Sequence, residues 1–186
     1  MLTTEPKAII VMKVGPHSNM TLTEIVKSKQ QEELIHGVHY WGYSGSFCQP
    51  RPTQEFCRWA KKQYGVDPSI ILIETKSSYK STIGHIKHYS TDNKVYTPFA
   101  APVQLQGAQF SFVAKNIRPL ETFCPAAYSV YGGKNNGKKL TEHLRFRVNK
   151  SFATLNESVL MDDVEATHMN VLIGTLVEPY AIWLME

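Results

Sequence analysis

The chain has 186 residues, 42% of them hydrophobic and 19% charged, a size and composition that fit one buried core and argue against a disordered polymer or a multi-domain assembly. No window approaches the ~18 consecutive apolar residues of a membrane span, and the N-terminal Met-Leu-Thr-Thr-Glu-Pro-Lys lacks the basic region and small-residue cleavage site of a secretory signal, so a cytoplasmic protein without membrane contact is expected. The net charge of +4 conceals an imbalance, because residues 1–150 hold all 20 Lys and Arg against 10 acids while residues 151–186 hold six acids and no base. Such asymmetry points to an anionic ligand on the basic part, with an acidic segment that covers it or meets a second copy.

Ala8 to Val14 is an apolar run with one Lys, closed by Gly15-Pro16, and reads as a buried strand. Thr21-Leu22-Thr23-Glu24 fits a capping box, with Leu22, Ile25 and Val26 opening an apolar face, so a helix is expected from there to His36-Gly37. Val38 to Tyr43 is a second, aromatic strand ended by Ser44-Gly45-Ser46. Pro52-Thr53 opens a second helix on the stripe Phe56, Cys57, Ala60 and Tyr64, which Gly65 stops, and Ser69 to Glu74 is a third strand. The alternation β-α-β-α-β predicts parallel strands over residues 7–75.

Beyond residue 80 the pattern changes to short strand candidates between Pro, Gly and Asn clusters: 83–89, 109–114, 127–131, 144–148, 169–177 and 180–184, with a short helical segment around 157–166. These predict antiparallel additions to the sheet, giving a single mixed α/β domain over 1–186 whose second half is mostly β.

In open α/β sheets, ligands bind beyond the carboxyl ends of parallel strands. The three loops there carry His17 and Ser18, then Tyr43, Ser44 and Ser46, then Lys76 and Ser77, an inventory suited to a phosphate or ribose. The run Gly42-x-Ser44-x-Ser46 misses the Gly-x-Ser-x-Gly register of a nucleophile elbow, and neither a Walker lysine motif nor a three-glycine dinucleotide fingerprint is present. His36/His39 and His85/His88 have a metal-like spacing, but the second pair falls on a strand where alternation points the rings apart, and no acid adjoins either pair. Three Cys without a Cys-x-x-Cys pair favour neither a disulfide framework nor a zinc site. No metal and no cofactor are expected.

On that strand, alternation would place His85, Lys87 and Tyr89 on one face, beside Lys76. A proton-transferring His, a charge-stabilising Lys and a positioning Tyr suffice for metal-independent cleavage of a phosphodiester by an adjacent 2′-hydroxyl. Gly132 to Lys139 is a glycine-rich loop with Lys134 and Lys138, followed by an alternating segment whose polar face carries His143 together with Arg145 and Arg147, the two Arg being the phosphate anchors. Tyr40, Trp41, Tyr43, Tyr79 and Tyr131 lie close in sequence to these clusters and can stack a base, although Tyr40-Trp41-Gly42-Tyr43 reads equally well as core, since an aromatic strand usually buries one face.

The expectation is a protein that binds a nucleotide or short oligonucleotide, cyclic signalling nucleotides included, and cleaves a phosphodiester in the manner of a ribonuclease. The alternatives are a non-catalytic module that sequesters such a nucleotide, and a single-stranded RNA-binding or protein-interaction protein. A homodimer is a further expectation, and Asp162, Asp163 and Glu165 read as an acidic surface or a subunit contact rather than an acid pair.

Overall fold

The computed structural model describes residues 5–15, 20–75, 83–145, 148–158 and 169–186. In chain order it contains β1 (Ala8–Val14), α1 (Leu22–His36), β2 (His39–Tyr43), α2 (Pro50–Tyr64), β3 (Ser69–Glu74), β4 (Ile83–Ser90), β5 (Thr97–Gln106), β6 (Phe110–Phe123), β7 (Tyr128–Val130), α3 (Leu140–Arg145), β8 (Lys150–Leu155) and β9 (Met169–Met185). Among the described residues no helix is long and apolar enough to cross a membrane.

Local chemistry sets the boundaries of the first elements. The Glu24 N–H donates to Thr21 Oγ1 (3.3 Å) and the Thr21 N–H to Glu24 Oε2 (2.7 Å), so the first turn of α1 is capped reciprocally. At its other end Gly37 takes φ 73°, where a side chain would be strained, and its N–H reaches Glu33 O at 2.8 Å. Helix α2 begins two residues before Pro52 and buries Phe56, Cys57 and Ala60 along one stripe. In β1 the alternate residues Ala8 and Ile10 enter one core, and Ile9 and Val11 enter another, so both faces are covered.

The strands form one mixed, strand-rich sheet in the order β2-β6-β9-β3-β1-β8-β7, with β4 pairing the end of β9 and carrying β5. Strands β1 and β3 are parallel neighbours, and every other described pairing is antiparallel. Strand β2 departs from the expected parallel arrangement: it pairs antiparallel with Phe110–Ala114 of β6, at the far end of the sheet from β1. The reason is that β6 and β9 make a long antiparallel pair that inserts between β2 and β3. Register shifts along that pair, between Phe112 and Ala114 and between Lys115 and Arg118, bend it. The curl carries the end of β2 back beside β8, where Lys150 Nζ donates to Ser44 O at 3.1 Å.

Three further expectations change. The segment 144–148 is not a strand at its start, because α3 runs through Arg145 and packs Leu140 and Leu144, one turn apart, into the core beneath β1. Residues 169–185 form one strand rather than two, continuing through Pro179. Strands β5 and β8 were not among the expected elements; β5 contains two prolines, and β8 begins on the polar pair Lys150-Ser151. The expected helical segment around 157–166 falls mostly outside the described residues.

Candidate functional site

A cleft of about 360 Å³ opens where the carboxyl ends of β1 and β2 meet α1, the β5–β6 turn and the first residue of β8. Its lining is rich in donors: Lys13, Lys29, Lys150, Ser44, Asn149 and the indole of Trp41. The lysines differ in their surroundings. Lys29, 7% exposed, holds Glu32 Oε2 at 2.7 Å and stands 5.7 Å from the Trp41 ring centroid. Burial pulls its pKa down and pushes that of Glu32 up, and the pair neutralises itself. Lys13 is part-buried and donates to Leu144 O at 2.7 Å, and burial lowers its pKa as well.

Lys150 is different. It is 9% exposed, donates to Ser44 O, and lies 5.2 Å from the Tyr43 ring centroid, yet among the described residues no carboxylate comes within ion-pair distance of it. Burial lowers its pKa, opposed only by Cys48. A buried ammonium without a counter-charge is costly, and an incoming anion removes that cost. Trp41, 3% exposed, adds an indole Nε1–H with no acceptor among the described residues.

A second cleft of about 540 Å³ has Phe47 and Cys48 in its lining, and Lys150 lines it too. Its walls are aromatic. The Phe56 and Phe152 rings stack at 4.7 Å and 13°, and Trp59 and Tyr131 at 4.4 Å and 29°. Gly132, Gly133, Lys134 and His143 complete the lining. The 44–48 loop is pinned at Cys48, whose carbonyl accepts from Tyr43 Oη at 2.5 Å and from Thr53 Oγ1 at 2.8 Å. Burial pushes the Cys48 thiol up to about 12, which keeps it protonated and unreactive.

Tyr43 and Ser44 line the first cleft; the Ser44 hydroxyl donates to Gly107 O at 3.1 Å and accepts the Gln109 N–H at 3.2 Å. Lys134 lines the second cleft. Ser46, Lys138 and Arg145 are exposed and line neither, although Lys138 is close enough to help depress the pKa of His143, after burial. His17, Ser18, Lys76, Ser77, Tyr79 and Arg147 lie outside the described residues.

His85, Lys87 and Tyr89 do not share a face. The register slips between Ile86 and His88, so His85 and Lys87 stay exposed while the Tyr89 ring turns onto Phe99 (4.7 Å between centroids) and packs on the cluster of Tyr40 and Ile86. His85 stands opposite Gln104 across the β4–β5 ladder, and Gln104 lines the first cleft.

The sequence reading missed Lys13, Lys29 and Lys150 as site residues. One signal was legible: Lys29 follows Ile25 by four residues, on the buried face of α1, where a lysine needs a partner. Lys150 carried no such signal. No protein-family model matches the chain, and no curated protein or solved structure matches it either.

Proposed function

We propose that this protein binds a phosphate-bearing small molecule of the nucleotide class, with an anionic oxygen at Lys150. The observation that carries this reading is the buried Lys150 ammonium, which donates to the Ser44 carbonyl and lines a donor-rich cleft that has no carboxylate among the described residues. Lys13 and Asn149 line the same space and supply further donors.

A second reading, cleavage of a bound phosphodiester, rests on the His85–Gln104 pairing at the edge of the cleft. It makes His85 the general acid or base, reaching in from β4.

The test is thermal shift and tryptophan fluorescence with pyrophosphate, AMP and ATP in the presence of EDTA. Each anion should raise the melting temperature, and Lys150→Met should weaken binding by about 100-fold, the scale expected for removing a charge-assisted contact from a buried site. Failure of every phosphate-bearing ligand to shift the wild-type protein removes the proposal. Incubation with a dinucleotide, followed by product analysis, decides the cleavage reading. An intact ligand after long incubation, or equal turnover by His85→Ala, eliminates it.

A further inference from the structure

The two clefts are not independent. Lys150 lines both, and the chain that runs from Ser44 at the first to Phe47 and Cys48 at the second is tied by the Lys150–Ser44 and Tyr43–Cys48 hydrogen bonds. Each space, about 360 and about 540 Å³, falls within the ~300–1,000 Å³ range of small-ligand pockets. Their chemistries are complementary: ammonium groups and neutral donors in one, parallel aromatic rings in the other.

We infer that the aromatic cleft is a second subsite, and that the two together take a dinucleotide, two nucleoside units joined through phosphate, with the linking phosphate at Lys150. This rests on the proposed anion site and names the ligand class for it.

The aromatic wall suits a nucleobase for a geometric reason. Trp59 and Tyr131 lie within 29° of parallel, as do Phe56 and Phe152, so a planar ring extends an existing stack without rearranging it. Trp59, Tyr131 and Phe152 are only half-buried, which leaves ring surface to cover. A base also has polar edges, and the cleft meets them. His143 is 7% exposed, and burial together with the Lys138 and Lys13 charges holds its imidazole neutral, with one donor and one acceptor nitrogen. Lys134 stands on the glycine side, where a second phosphate of the ligand would emerge.

Sharing one cation between two subsites has an energetic consequence. A ligand that reaches both binds its second unit at high effective concentration, so a dinucleotide should exceed a mononucleotide by about 10²–10⁴-fold if the span fits.

Calorimetry with linear 5′-phosphorylated diadenylate, cyclic diadenylate, AMP, adenosine and pyrophosphate tests this. One of the two dinucleotides should bind one per chain and at least about 100-fold tighter than AMP. Adenosine alone should shift the Trp59 indole N–H resonance and leave that of Trp41 in place. Tyr131→Ala should lower dinucleotide affinity toward that of AMP while pyrophosphate binding is unchanged, and Tyr131→Phe should restore it. Lys150→Met should weaken both ligands. If pyrophosphate binds but neither dinucleotide exceeds AMP, or if Tyr131→Ala leaves dinucleotide affinity unchanged, the second subsite is overturned and the anion site stands. If pyrophosphate and every nucleotide fail, the anion site is overturned and the dinucleotide inference with it.

Discussion

The basic cleft and the aromatic cleft share a loop and a lysine, but they place charge in opposite settings. The lysines of the first lie in a part-buried interior, and Lys150 meets a carbonyl and a ring but, among the described residues, no carboxylate within ion-pair distance. Lys134 at the second, like Lys138 and Arg145, is exposed. A solvated charge is screened and contributes little by itself, whereas a desolvated one is raised in free energy until an opposite charge arrives. The sequence count of positive charge does not separate these cases. Burial does, and it sets Lys150 apart from the exposed lysines of the glycine-rich loop.

The largest effect on this contrast should come from acid. His39 is fully buried behind the first cleft, edge-on to Trp41 at 5.9 Å, and burial, with the Lys29 charge, holds its pKa down at about 4. Glu33 Oε2 is 3.7 Å away, too far for a hydrogen bond, and its carboxylate accepts the Asn116 N–H instead. The unfolded chain therefore binds a proton between pH ~6.5 and ~4 that the folded chain refuses, so stability falls as pH falls through that window, by about 3 kcal/mol. Urea denaturation against pH should show this slope, and His39→Leu should flatten it. Trp41, next to His39, should report the change before Trp59; simultaneous loss of both signals would mean that the two clefts are one cooperative unit.

Next in size is Gly42→Ala. A Cβ there would meet Ala108 Cβ at 2.8 Å and Leu105 Cδ2 at 3.3 Å, on the turn that closes the first cleft. The overpacking should cost about 1–3 kcal/mol and weaken pyrophosphate binding, leaving adenosine binding at the aromatic cleft intact. Chemical denaturation and the two titrations check both parts.

Lys150→Met should act in the reverse direction on stability. Removing an uncompensated buried ammonium while keeping the stem's packing should raise the ligand-free melting temperature by about 2–4 °C, corresponding to about 1 kcal/mol in a chain of this size. The pH dependence has a definite sign. With the folded pKa below 10.5, the unfolded chain binds more protons in alkaline solution, so wild-type stability gains from Lys150 as pH rises toward 10.5. The variant should lack that gain. A fall in melting temperature for Lys150→Met at neutral pH would show that the lysine is held by the fold rather than waiting for a ligand.

The smallest effects are expected from Lys134→Ala, Lys138→Ala and Arg145→Ala. Each should change stability by less than about 0.5 kcal/mol, since the groups are solvated. Any loss of dinucleotide affinity should be confined to Lys134, which alone of the three lines a cleft, and should shrink as salt is raised.

Much of the first half was legible because its signals are local. The Thr21–Glu24 box, the glycines after α1 and α2, and the apolar run of β1 depend on contacts a few residues away, and each element stands where those signals put it. Alternation failed where the ladder slipped: the count from His85 to Tyr89 assumes a regular strand, and the irregularity after Ile86 sent Tyr89 to the other side. Composition likewise overestimated the polar face at Arg145, because His143-Leu144-Arg145 reads equally well as a strand edge or as a turn of helix, and the core space for Leu140 and Leu144 decided for helix.

The sequence by itself determined a mixed α/β chain, the caps and ends of its first helices, and an excess of positive charge in its first 150 residues. The tertiary structure decided which strand lies beside which, and therefore which lysine is buried. Local patterns fix a strand's faces but not its partner. Only the curled β6–β9 pair brings Ser44 and Tyr43 to Lys150, more than a hundred residues away in the chain, and turns a surface residue type into a desolvated charge.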